Sequence, residues 1–324
     1  MSTVIRELAV TAEESVQIRA LLDHITADDR MPDPNYFVEH SHVLAQELPR
    51  RIRESFYTFS RCEITSALHV TGSPVLAKGP GPTPVTYVEE EPGYRLNDAQ
   101  LLHGLYGSLL GEPVGFTSQR KGSIFNTITP MPSLSGVANS SSGSMFDFGF
   151  HIEDAFHPVR AEFIGLACMR NDERAATTIS SVDGVDLTEE ELHALFEPQF
   201  VIGHNPIHST SGVVAEDKLS VLFGPTDRPY VRINFATLKV EDYDGVPRRA
   251  LEKLRTHFEQ NRAQLVLQGG DFVYIDNFRC AHARDAFDPL PPGQARWLSR
   301  VVFATDLRKS RAMREGTINR AIAA

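Results

Sequence analysis

The 324-residue chain has 42 acidic against 32 basic residues, a net charge of −10 at pH 7, which excludes a general affinity for nucleic acid or an anionic membrane. Hydrophobic residues make up 41% and charged residues 23%, enough for a large core and unlike a disordered chain. Cys62, Cys168 and Cys280 form no CxxC pair, no apolar run reaches membrane-spanning length, and the charged N-terminus is no signal peptide; all this fits the reducing cytoplasm.

Thr11 to Glu14 reads as a capping box, followed by Ile18, Leu21, Leu22 and Ile25 at helical spacing. A second helical stretch follows Pro34 and carries Val43, Leu44 and Leu48; it breaks at Pro49 and resumes with Ile52, Phe56 and Phe59. Glu63 to Val70 reads as a strand ended by Gly72-Ser73-Pro74. Residues 78–93, rich in proline and glycine, read as a solvated loop. A helix follows from Leu96 to Leu110, with Asn97 or Asp98 as its cap. From Val114 the character changes to short β-branched and aromatic runs between turns: 122–129, 145–151, 162–169, 220–223, 230–235, 271–275 and 297–303. Two helices interrupt them, Thr188–Phe196 and Pro247–Gln260, the second with Leu251, Leu254 and Phe258 on one face. This predicts an α+β chain forming a single domain over 1–324. Residues 1–110 are a mainly helical part, 111–308 an antiparallel β core of barrel or sandwich type, and 309–324 a tail.

His151-Ile152-Glu153 places an imidazole and a carboxylate on one side of an extended segment, so both can converge on a point. A second histidine would complete a 2-His-1-carboxylate metal set. His157, beyond a bend, is read as structural or supporting. The second half of the pattern lies at 270–303. His282 leaves one strand and Arg296, fourteen residues later, enters the next, which in an antiparallel hairpin would set an arginine fork beside a metal.

HxE, a distal histidine and an arginine fourteen residues on resemble the non-haem Fe(II)/2-oxoglutarate-dependent oxygenases. The strings His151–Pro158, Asp276–Arg284 and Arg296–Arg300 are similar to the clavaminate synthase-like group and its free L-amino acid hydroxylases, across residues 115–308. The resemblance implies a double-stranded β-helix (jelly-roll) core with helical additions. It further implies Fe(II) on His151, Glu153 and His282, 2-oxoglutarate held by Arg296 and Thr177, and O₂ at the remaining position. For a free amino acid it implies Arg300 on the carboxylate, with Gln119 and Glu153 on the ammonium. The stretch Asn139–Ser144, Ser144 included, is expected to line the pocket, although a flexible serine-rich loop fits the composition equally well.

Where arginine hydroxylases carry acidic residues, this chain has Asn234 and Ala236, so a cationic side chain would lose its partner. That disfavours arginine, and lysine less firmly, because Asp227, Glu241, Asp242 or Asp244 could substitute from a loop. The expected reaction is hydroxylation at Cβ or Cγ of a small-molecule amino acid in bacterial specialised metabolism. One alternative is an oxygenase acting on a carrier-bound or peptide-bound aminoacyl group; a second is a non-catalytic cupin-type protein holding Zn or Ni.

Overall fold

The structure, a computed structural model, describes residues 4–203 and 217–323. The helices are α1 (Ala12–Thr26), α2 (Pro34–Leu44), α3 (Arg50–Cys62), α4 (Asp98–Ser108), α5 (Glu189–Phe196) and α6 (Gly245–Gln260). The strands begin with β1 (Ile5–Ala9), β2 (Ala67–Thr71), β3 (Glu112–Phe116), β4 (Asn126–Ile128), β5 (Phe148–His151), β6 (Phe163–Arg170) and β7 (Thr177–Ser181). They continue with β8 (Leu222–Phe223), β9 (Tyr230–Val231), β10 (Ala263–Leu265), β11 (Phe272–Asp276), β12 (Cys280–Arg284), β13 (Trp297–Ala304) and β14 (Ala321–Ile322).

Two sheets carry the architecture. The larger runs β1-β2-β11-β6-β13-β3-β14, with β4 also on β13; the smaller runs β10-β7-β12-β5. They face each other and do not close into a barrel. Alternation along each strand decides what lies between them. On β11, Phe272 and Tyr274 pack against the helices, while Val273 and Ile275 join the core between the sheets. On β13, Val301 and Phe303 face the helices, and Leu298 and Val302 face inward. Arg296 and Arg300 share the inward parity of Leu298 and Val302. On β12, Cys280 points inward and Ala281 and Ala283 outward, so His282 points inward. Helices α1–α4 cover the outer face of the larger sheet and α5–α6 that of the smaller.

The capping boxes form at both Thr11 and Asn97. Helix α4 packs its glycines close against the sheet: a Cβ on Gly107 would lie 1.8 Å from the Phe303 ring, so the helix tolerates a poor helix former to gain that approach.

Several expectations need correction. Val43 is exposed; the buried face of α2 is Phe37, Val38 and Ser41. The strand expected from Glu63 starts at Ala67, because Glu63 ends α3 in the left-handed region, φ 49°. Strands β1, β3, β7, β10, β12 and β14 were not foreseen. Strand β1 pairs parallel with β2 and β14 parallel with β3, so the N-terminal part and the segment at Ala321–Ile322 both contribute to the sheet. The span expected over 122–129 shortens to Asn126–Ile128 after a 3₁₀ turn. Strands β12 and β13 lie in different sheets, so His282 and Arg296 do not face each other in a hairpin; they meet across the gap between sheets.

His103 on α4 is fully buried beside Phe272, Tyr274 and Phe303. Burial pushes its imidazole down to about 3 from the ordinary 6.5. Between those values the unfolded chain holds a proton that the folded chain refuses, so stability falls as pH falls through that window. The slope from this one group is up to ~1.4 kcal/mol per pH unit. Urea unfolding at pH 7 and pH 5 should show a smaller pH difference for His103→Phe than for the parent; equal differences would remove His103 as a cause.

Candidate active site

The site lies between the sheets where β5 meets β12. His151 ends β5 and pairs in register with His282 on β12. Glu153 follows two residues on, on the same side. The Glu153 Oε1 atom lies 3.9 Å from His151 Nε2 and 3.6 Å from His282 Nε2. One donor atom from each of the three buried residues falls within 4.8 Å of the others. His151 Nδ1–H donates to the Gly149 carbonyl at 2.8 Å, so Nε2 carries the lone pair and, though buried, has no hydrogen-bond partner. An orphaned buried acceptor, a second imidazole and a carboxylate sharing one focus fit a divalent transition metal with open positions.

The backbone around the focus is pinned. Asn277, fully buried, accepts from Glu153 N–H at 2.8 Å and donates to the carbonyls of Glu153 at 3.1 Å and Ala161 at 2.9 Å. Asn234 bridges to His151 through the backbone. The Phe148 ring stacks on the His151 imidazole at 3.9 Å. His157 lies away from the focus: its Nε2 meets the Ala323 carbonyl at 2.9 Å, and its Nδ1 accepts from Val159 N–H.

The charges respond to this enclosure. Burial, then the nearby His282, holds His151 down at about 3, a neutral ligand at neutral pH. Burial pushes Glu153 up, but Arg300, His282 and His151 together keep its carboxyl well below the usual range. Arg300 donates from Nη1 to Glu153 Oε2 at 2.8 Å and from Nη2 to Gln119 Oε1. The Gln119 amide donates in turn to Asp154 Oδ1 at 2.6 Å. Asp154, at φ 52°, is pushed up to about 7 by burial and by the Glu153 charge.

Two cavities flank the focus. The smaller, about 60 Å³, is bounded by Thr177, His282, Arg284, Arg296 and Leu298 among others. Arg296 is fully buried there, its Nη2 3.5 Å from Thr177 Oγ1 and its Nε without a partner. Glu173 anchors the start of β13 by accepting from the Arg296 N–H at 2.8 Å. The larger cavity, about 450 Å³, is lined by His151, Glu153, Gln119, Asn234 and Arg300, and also by Tyr87, Glu90, Arg120, Lys121, Ser140, Ser141 and Asp154. His151, Glu153 and Arg300 border both, as do Phe148 and Ser141.

Thus the expected metal set converges, Thr177 and Arg296 share one cavity, and Arg300, Gln119 and Asn234 share the other. Ser144 does not join them: it lines a separate groove with Thr83, Pro130 and Pro291, and Ser140 and Ser141 take the place expected for it. Ala236 and the acidic candidates Asp227, Glu241, Asp242 and Asp244 do not line either cavity; Asp227 lines a groove with Asp183 and Leu192. Residues 78–93 are not merely a solvated loop. Tyr87 and Glu90 form a cavity wall, and Glu89 accepts from Thr127 N–H at 2.9 Å. The charges in the string Gln119-Arg120-Lys121 were the available signal for Arg120 and Lys121; composition gave none for Tyr87.

Comparison with known proteins adds independent findings. The family model described as "Taurine catabolism dioxygenase TauD, TfdA family" matches residues 96–302. An enduracididine beta-hydroxylase of Streptomyces hygroscopicus is 29% identical, over 96% of this chain and 97% of the relative. An L-asparagine oxygenase of Streptomyces coelicolor is 30% identical, over 87% of this chain and 84% of the relative. The crystal structure of the non-heme iron oxygenase OrfP with Fe, succinate and (3S)-hydroxy-L-Arg superposes with a TM-score of 0.89 at 27% identity, covering 98% of this chain and 99% of that one. That of an asparagine oxygenase with Fe(II), 2S,3S-3-hydroxyasparagine and succinate gives 0.87 at 26%, over 98% and 99%. These likenesses imply a jelly-roll core for the two facing sheets.

Proposed function

The chain belongs to the TauD/TfdA dioxygenase family, and from that premise we propose that it is an Fe(II)- and 2-oxoglutarate-dependent hydroxylase of a free L-amino acid, acting at Cβ or Cγ. The reading takes the whole chain as one oxygenase domain working in bacterial specialised metabolism.

His151, Glu153 and His282 would hold the iron, which fits the orphaned Nε2 and the shared focus. Bound iron with 2-oxoglutarate and O₂ supplies the oxidant for an unactivated C–H bond, releasing succinate and CO₂. The chain's own residues do the placing. Arg296, with Thr177, offers a desolvated fork to the distal carboxylate of 2-oxoglutarate in the small cavity. On the other side Arg300 takes the carboxylate of the amino acid, and Gln119 and Glu153 take its ammonium. The observation that carries this reading is the contact of one arginine with both Glu153 and Gln119 at the wall of the larger cavity. A carboxylate partner and two ammonium acceptors then stand side by side next to the metal focus, as a zwitterion needs. Asn234 meets the side chain.

The test is succinate formation from 2-oxoglutarate with Fe(II) and ascorbate across the proteinogenic amino acids and citrulline. Stimulation by at least one free amino acid, with a product heavier by one oxygen, is the expected result. Stimulation only by aminoacyl groups loaded on a carrier would replace this reading with the tethered one, because a tethered residue has no carboxylate for Arg300.

A further inference from the structure

The larger cavity is asymmetric in what it leaves unused. Among the described residues, each carboxylate lining it is already engaged. Glu153 is held by Arg300 and belongs to the metal set, Asp154 accepts from Gln119, and Glu90 pairs with Lys121 at 2.8 Å. Among the other lining side chains, Asn234 and Arg120 carry spare N–H donors, and Ser118 Oγ is a buried hydroxyl without a partner. Asn234 Oδ1 accepts from Ala236 N–H at 3.0 Å, which fixes the amide and leaves its NH₂ without a described partner. The Arg120 carbonyl accepts from Ser123 N–H at 3.0 Å, while its side chain donates a hydrogen bond to no carboxylate among the described residues. The buried Glu89 carboxylate pairs with its Nε at 3.6 Å and its guanidinium lies over the Tyr87 ring, which leaves the terminal nitrogens of the fork as its spare donors.

Arg120 is also aimed at some cost to the backbone. Arg120, Lys121 and Gly122 run at φ 44°, 54° and 83°, three successive left-handed residues closed by Gly122 N–H to Gln119 O at 2.8 Å. Only the glycine adopts this without strain, and such strain persists where surroundings impose it. The turn sets Arg120 directly after Gln119, the residue placed on the substrate ammonium. Arg120 is near enough to Arg300 for the two charges to repel.

We infer that Arg120, with the Asn234 amide, selects a substrate whose side chain ends in an oxygen acceptor, a carboxamide, ureido or carboxylate group, over one ending in a cation. This rests on the amino acid hydroxylase reading and narrows its substrate class. A cationic end would meet these donors while each carboxylate lining the cavity is already engaged, leaving buried polar groups unpaired on both sides. An acceptor end would complete both.

The test compares three sets of free L-amino acids by succinate formation: asparagine, glutamine and citrulline; aspartate and glutamate; ornithine, lysine and arginine. One of the first two sets is expected to exceed the third in kcat/KM by at least about 10-fold. Arg120→Met should then raise KM for the preferred acceptor-ended substrate by on the order of 10- to 100-fold while leaving the cationic set no worse, and Arg120→Lys should recover part of the loss. Preference between the first two sets tells carboxamide from carboxylate. The inference is overturned if the cationic set is preferred, or if a folded Arg120→Met keeps the parental KM; either result leaves the hydroxylase reading intact. If no free amino acid is turned over while carrier-loaded ones are, the hydroxylase reading fails and this inference falls with it.

Discussion

His282→Ala is expected to abolish amino-acid-stimulated succinate formation and to lower Fe(II) affinity by more than about 100-fold, since removing even a supporting partner of a ligand costs about 10- to 100-fold. The imidazole has no other evident task. It sits on β12 opposite His151, its Nε2 faces Glu153 Oε1, and its Nδ1 has no partner. His151→Ala should do the same, since its Nδ1–H already donates to Gly149 and only Nε2 is free. Both changes remove a side chain from a buried wall, so a fold control is needed. Thermal unfolding without metal should shift little, whereas the rise that Fe(II) produces in the parent should vanish, because only a native-state ligand stabilises by mass action. A chelator should reproduce the variants' behaviour in the parent. Iron content and turnover that survive in both variants would sink the metal assignment.

Parts of this arrangement were legible in the chain for a physical reason. Spacing set His151 and Glu153 on one side of an extended segment, and they converge although β5 ends at His151 and Glu153 sits in the turn beyond it; Arg300 shares the inward parity of Arg296. Helix α1 was legible because its capping box and apolar spacing agree. What failed was reasoning from nearness in sequence. Fourteen residues between His282 and Arg296 suggest a hairpin, yet the chain crosses from one sheet to the other, and the two residues meet through the gap. The serine-rich stretch has no periodicity to say which hydroxyls point inward, so Ser144 was chosen where Ser140 and Ser141 line the cavity. Residues 78–93 misled because proline and glycine describe how a segment bends, not what later packs on it. Their wall against Arg120 and Thr127 is a long-range contact. Strand β1 shows the same limit: of its five residues only Leu8 is buried, so nothing in its pattern announces a sheet edge.

Arg296→Met is expected to raise KM for 2-oxoglutarate by about 100- to 1,000-fold, equivalent to ~3–4 kcal/mol, the scale of a buried pair that loses one partner. The guanidinium is fully buried and has no carboxylate within ion-pair distance among the described residues; Thr177 Oγ1 at 3.5 Å is a marginal partner and Nε has none. Burial lowers its pKa from the ordinary value, the signature of a cation short of a counter-ion. That imbalance predicts two effects of opposite sign. Without cosubstrate, Arg296→Met should unfold at the parental temperature or above it, since an unpaired buried charge is replaced by an apolar chain of similar length. With saturating 2-oxoglutarate the parent should gain stability and the variant should not. Arg296→Lys keeps the charge but loses the fork, so its KM should rise only about 10-fold. A parental KM in Arg296→Met, or an equal thermal shift with 2-oxoglutarate in both proteins, would place the distal carboxylate elsewhere. In that case Arg284, which feels the Arg296 charge and borders the same cavity, is the next residue to replace.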